Sequence, residues 1–171
     1  SEKTGVCAAR PDLFEKRLCL LTPVAGTKKR ALSELQRLWN ALGMRVISLG
    51  PARHDRIVAA ISHLPHLVAA ALVNHIGDER LLNYIGTGFL GTTRIAASDP
   101  KLWTEVICQN RKEIIRELNC WMESFKLLKQ LINSKEPEEL KSWLRKARVR
   151  RLRIAPKDPE KVYPASESNT R

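Results

Sequence analysis

The sequence predicts a mainly α-helical chain, an all-helical domain preceded by a strand–helix–strand piece of a larger α/β sheet. Three observations carry this prediction. Two short apolar runs flank one helical pattern within the first fifty residues, every apolar pattern after Gly50-Pro51 has helical spacing, and proline stands where helices begin, at Asp99-Pro100 and at Pro137.

Residues 17–23 form an apolar run closed by Pro23, the pattern of a buried strand. Thr27 is placed to cap a helix whose apolar residues Leu32, Leu35, Leu38, Trp39 and Leu42 recur at three and four, and Gly43 is placed to end it. Residues 44–49 make a second strand. A lone strand pair is marginal in water, and these runs are apolar on both faces, so they are expected to belong to a sheet whose other strands lie outside this chain.

Residues 53–76 are apolar nearly all round, from Ile57 and Val58 to Leu72, which predicts a central, buried helix. Pro65 removes a backbone donor there, leaves the Ile61 carbonyl without its usual partner and bends the helix, at about 3 kcal/mol if nothing compensates. A shorter helix is expected over 78–84, then a glycine-bearing loop, Gly86-Thr87-Gly88. After the Asp99 cap one continuous helix is expected over 101–133, its stripe including Trp103, Val106, Ile107, Ile114, Leu118, Trp121, Phe125, Leu128 and Ile132. Such a rod is roughly 50 Å long at 1.5 Å per residue. That exceeds what a domain this small needs for itself, so a homodimer through helix 100–133 is expected, with Trp121, Phe125 and Leu128 in its interface. Pro137 opens a last helix to about Arg150, and residues 151–171 read as a basic, mobile tail.

The 171 residues, 43% hydrophobic and 28% charged, allow one domain with part of another. Of the net charge of +12, Lys141, Arg145, Lys146, Arg148, Arg150, Arg151 and Arg153 supply +7 without an intervening acid. The charge is therefore local. Such a strip suits RNA or an acidic partner, but Trp143 alone interleaves it and no RNA-binding motif accompanies it, so nucleic acid is not the expected partner. No apolar run approaches the roughly eighteen residues that span a bilayer, and no membrane segment is expected. The opening Ser1-Glu2-Lys3-Thr4-Gly5 lacks a secretory h-region, giving an expected cytoplasmic location, and lacks Met, as a piece of a longer protein would. Cys7, Cys19, Cys108 and Cys120 form no CxxC pair and are expected to be buried free thiols rather than a metal or redox site.

His54, His63, His66 and His75 all fall on or beside the central helix. On an ideal α-helix Asp55, Ser62 and His66, spaced by seven and four, lie within about 40° of one another. A polar stripe on a buried helix must be satisfied by the protein itself or by a polar ligand. As metal ligands, His63 and His66 with His54 or Asp55 resemble the His-Asp metallohydrolases only thinly, because no further histidine lies upstream; no metal site is assigned. The second candidate is Arg94, whose guanidinium fork suits the carboxylate of a small dianionic substrate, against the alternative of a surface salt bridge.

Several strings agree in order and spacing with one family. His54-Asp55, Ser62-His63-Leu64-Pro65-His66, Gly88-Phe89, Thr93-Arg94-Ile95-Ala96, Ser98-Asp99-Pro100 and Trp103 resemble the motifs of the prephenate/arogenate dehydrogenase family, and Ser1 to Val6 resembles the segment just after its His-Pro-x-Ala-Gly motif. The resemblance covers roughly residues 1–135. It implies that residues 1–50 close a Rossmann-type nucleotide-binding domain, that 51–150 are a helical dimerisation and substrate-binding domain, and that 151–171 are the tail. It implies an NAD- or NADP-dependent enzyme of tyrosine biosynthesis, in which hydride leaves the ring carbon bearing the hydroxyl while the ring carboxylate departs as CO₂.

Carried over position by position, Arg94 holds a substrate carboxylate, His66 and Ser62 line the pocket, Trp103 walls it, Ser1 and Glu2 sit at its entrance, and His54 and Asp55 form a supporting network. The family's catalytic histidine and pyrophosphate loop belong upstream of Ser1. No catalytic residue is therefore expected in this chain, and no cofactor is expected to bind it alone. Leu90 and Gly91 stand where the family often has a base and an acid, which puts an ion-pair gate there in doubt. The competing reading is a non-catalytic helical dimerisation or regulatory module.

Overall fold

The computed structural model describes residues 12–154, so Ser1, Glu2, Cys7 and the segment 155–171 lie outside the described residues. The chain divides into two compact units, Ser1–Asn119 and Cys120–Arg171.

The first unit opens with β1 (Leu18–Leu21), α1 (Lys29–Ala41) and β2 (Arg45–Ser48). The strands pair in parallel, Leu18 opposite Arg45 and Leu21 opposite Ser48, which requires the crossover that α1 provides. Gly43, at φ +81°, ends α1 as the sequence predicts. Its N–H reaches the Asn40 carbonyl at 3.0 Å and the next, from Met44, reaches Trp39 at 3.1 Å, the paired bonds of a Schellman stop. Thr27 does not cap the helix. Its hydroxyl instead accepts from Val24 N–H at 3.0 Å, tightening the turn before it, and Lys28 occupies the N-cap without a side-chain bond.

Residues 51–74 are helical throughout but not α-helical throughout. α2 (Pro51–Val58) passes into a π turn, Ala59–His63, and then α3 (Leu64–Asn74). The Ala59 carbonyl receives the N–H of Leu64, five residues on. Pro65 thereby falls in the first turn of α3, where a missing N–H costs little. The wider turn carries one extra residue, so everything after it is rotated by roughly one residue's 100° relative to an ideal helix. The expected alignment of Asp55 with Ser62 and His66 is lost for that reason.

The expectation of a buried central helix is also corrected. Only Ala59, His63 and Ala69 of this run are buried, while Ile61 is 68% exposed and Leu72 and Val73 are exposed too. The run is 24 residues long, its most apolar stretch has a mean hydropathy of 1.6, and it is by length and composition alone sufficient to cross a membrane, contrary to the expectation that no such segment exists. A core helix of a soluble protein meets the same test.

A 3₁₀ turn, Glu79–Tyr84, follows, capped by Asp78 through Arg80 N–H at 3.0 Å. Gly86 is the N-cap of α4 (Thr87–Thr93), so the expected glycine loop is a helix start. A second 3₁₀ turn, Arg94–Ala97, packs on α3. Asp99 caps α5 (Pro100–Gln109) through Lys101 N–H at 2.8 Å, with Pro100 in the first turn as predicted. The expected continuous rod over 101–133 is broken. Asn110, at φ −114° and ψ 27°, separates α5 from α6 (Arg111–Asn133).

The boundary between the two units falls within α6. In the second unit Trp121 and Phe125 stack obliquely, centroids 4.3 Å apart, and α7 (Pro137–Ile154) runs beyond Arg150 into the segment expected to be a tail. No described residue of this unit is buried, and Phe125 is 51% exposed. Cys108 and Cys120 are exposed and Cys19 half-buried, which corrects the expectation of buried thiols.

Candidate functional site

The first unit contains a cleft of about 220 Å³ between α3, the 94–97 turn and α5. His66, Leu67 and Ala70 line it from α3, Ile95 and Ala96 from the turn, and Trp103, Thr104 and Ile107 from α5. Helical spacing places each set: 66, 67 and 70 fall on one face, as do 100, 103, 104 and 107.

His66 and Trp103 meet in this wall. Their rings stack with centroids 3.5 Å apart and planes 22° from parallel. His66 is held from behind, its Nδ1–H donating to the Ser62 carbonyl at 3.0 Å, which leaves Nε2 as the nitrogen to meet a ligand. Ser62 thus supports the site through its backbone, and its side chain is not among the cleft's lining groups. Arg94 is exposed and immediately precedes Ile95 of the wall without itself lining the cleft.

Behind the wall lies a buried polar contact. Asn110 uses both hydrogens of Nδ2: one goes to the Asp55 carbonyl at 2.8 Å, the other to His63 Nδ1 at 3.3 Å. The Asp55 carbonyl needs a donor, so the amide cannot be turned the other way, and His63 must accept at Nδ1 and carry its proton on Nε2. Burial first, then the neighbouring His54 and His66, push the His63 pKa below its ordinary value, and Asp55 opposes them only in part. His63 is therefore a neutral imidazole at pH 7. Its ring stands nearly perpendicular to Trp103, at 82° and 6.0 Å. His54 donates from Nδ1 to the Asp55 carboxylate at 3.0 Å.

Among the described residues no cluster of three or more His, Cys, Asp or Glu side chains is placed to hold a metal. The string Gly86-Thr87-Gly88-Phe89-Leu90-Gly91 has the glycine spacing of a dinucleotide loop. It follows a 3₁₀ turn and opens a seven-residue helix, whereas a pyrophosphate loop joins a strand to a helix. The 86–91 string is therefore not a pyrophosphate loop.

Residues 50–146 match the family model described as "Prephenate dehydrogenase, dimerization domain". The chain belongs to the prephenate dehydrogenase family. It is 30% identical over 153 residues to a prephenate dehydrogenase of Bacillus subtilis, covering 86% of this chain and 41% of that protein. With a cyclohexadienyl dehydrogenase of Zymomonas mobilis it shares 28% over 160 residues, covering 90% and 55%. The solved structure of an Aquifex aeolicus prephenate dehydrogenase in complex with hydroxyphenyl propionate and NAD+ is similar at TM-score 0.84 and 34% identity, over 90% of this chain and 56% of that one. An arogenate dehydrogenase of Synechocystis is similar at TM-score 0.75 and 29% identity, over 83% and 54%. The chain spans about half the length of these prephenate dehydrogenase relatives.

Two residues of the site escape the sequence reading. The sequence offers His63 as a possible metal ligand and as part of the Ser62–His66 string, whereas it is the buried link between Asn110 and Trp103. Asn110 did carry a signal, since it interrupts an apolar helical pattern with a residue that favours helix ends over interiors.

Proposed function

We propose that this chain is the substrate-binding and dimerising part of an NAD- or NADP-dependent dehydrogenase that oxidatively decarboxylates prephenate or arogenate in tyrosine biosynthesis. Residues 1–50 belong to its nucleotide-binding domain and 51–150 to its helical domain. The observation that carries this reading is the stack of His66 on Trp103 in the wall of the cleft, within a chain of this family.

The cleft's chemistry suits the substrate class. Apolar Leu67, Ala70, Ile95 and Ile107 accept a six-membered carbon ring, and His66 Nε2 supplies one directed polar contact. Arg94 offers a planar fork for a carboxylate at the edge of the wall. Ser62 holds His66 in place, and His54 with Asp55 supports the helix behind it. Ser1 and Glu2 belong at the entrance. Two copies assemble through residues 100–133, the successive helices α5 and α6, covering the exposed Phe125 and its apolar neighbours.

The test is an assay of the full-length protein with prephenate and arogenate, each with NAD and NADP, beside chain 1–171 alone. Turnover by the full-length protein with at least one combination, and none by the chain alone, is the expected result. Failure of all four combinations leaves the non-catalytic dimerisation module.

A further inference from the structure

The cleft described above is walled by two rings, yet neither ring is fixed by the cleft itself. Trp103 belongs to α5 and His66 to α3, and behind the wall the residue at the end of α5, Asn110, is bonded to α2 and to the π turn that precedes α3. Asn110 sits at the break between α5 and α6, its backbone N–H still bonded to the Val106 carbonyl at 3.3 Å and its own carbonyl receiving Ile114 N–H at 3.1 Å. The break costs α-helical continuity but turns the amide inward, 9% exposed, where it spans two positions of the neighbouring helical run.

Those two positions are the last turn of α2 and the end of the π turn. Asp55 is eight residues before His63, and the π turn between them is the place where the phase of this run is decided. A single amide bonded to both ends holds the turn at its wider setting. We propose that Asn110 is a positioning residue for the cleft: by bridging the Asp55 carbonyl and His63 it fixes the π turn, and through the contacts of His63 and His66 with Trp103 it sets the aromatic wall. The proposal rests on the reading of this cleft as the substrate site only for its consequence in binding; the arrangement of the rings stands on the geometry alone.

Two variants separate positioning from simple loss of packing. Asn110→Asp is nearly isosteric and keeps a residue that tolerates a helix end, but it opposes an acceptor to the Asp55 carbonyl and exchanges the neutral donor at His63 Nδ1 for a carboxylate. Asn110→Ala removes the bridge and leaves the backbone free to close the break. In full-length protein labelled with ¹³C at histidine, a ring stacked at 3.5 Å on an indole gives His66 proton resonances displaced upfield of the ordinary imidazole positions. Loss of at least half of that displacement in both variants, with the indole N–H proton resonance of Trp39, which packs on Phe14, unchanged, is the expected result. An unchanged His66 displacement in either folded variant overturns the proposal.

Hydroxyphenylpropionate serves as the binding probe in parallel. A tenfold or greater rise in Kd accompanying the loss of displacement ties the wall to the ligand. If the displacement is lost while the Kd stays within twofold, the positioning stands and the reading of the cleft as the substrate site fails.

Discussion

His66 lies flat on Trp103 while His63 meets the same indole nearly at a right angle, so one tryptophan organises two histidines that differ in what they can do. His66 lines the cleft with its Nδ1 bonded to the Ser62 carbonyl; His63 has its Nδ1 engaged and is buried. Trp103→Leu keeps an apolar side chain but removes both ring contacts, each worth about 0.5–1.5 kcal/mol beyond area burial. A fall in unfolding free energy of about 1–3 kcal/mol is expected, measured by urea denaturation, with Trp103→Phe recovering part of it.

Stability of the first unit should depend on His63 protonation. Its folded pKa lies below the ordinary 6.5, so below that pH the unfolded chain binds the proton more readily than the folded one. The contribution is fully present above pH 6.5 and is lost as the pH falls toward and through the lowered folded value. His63→Gln should therefore be less stable than wild type at pH 8 but show a shallower loss between pH 7 and 5, read from denaturation midpoints. Parallel pH dependence in the two proteins would remove His63 from the account.

The exposed apolar side chains of the helical run 51–74 and of α6 call for a cover of protein. Sedimentation at micromolar concentration should give twice the chain mass of 19.4 kDa. A stable dimer buries on the order of 1,200–2,000 Å², and Phe125→Asp in the expected interface should shift the mass toward one copy. A monomeric wild type contradicts the assignment of that surface.

Arg94→Lys in the full-length enzyme keeps the charge but loses the planar fork. A raised KM with a smaller change in kcat is expected, together worth about 2–4 kcal/mol in kcat/KM. An unchanged KM would make Arg94 structural and would place the substrate carboxylate elsewhere.

How much of this was legible in the sequence depended on whether a signal was local. The Gly43 stop, the Asp99-Pro100 start and the two short strands are each written in a few adjacent residues, and the structure has them in place. The membership of His66 and Trp103 in one wall came from resemblance, since the residues lie on different helices and no periodicity connects them. What failed was phase over distance. Wheel geometry assumed 3.6 residues per turn from Asp55 to His66, and the π turn at Ala59–His63 invalidates that sum although Pro65 marked the spot. The break at Asn110 is likewise not fixed by the helical pattern, because the side chain's partners lie 47 and 55 residues away.

The π turn makes the length of residues 59–63 matter more than their identity. Ile61 points largely to solvent within one chain, and many side chains fit there. Removing that residue altogether takes away little packing, yet it shortens the five-residue hydrogen-bond step to four and swings His66 through roughly 100°. Point changes at Ile61 are then forgiven by this chain, whereas a one-codon deletion carries the imidazole off the indole.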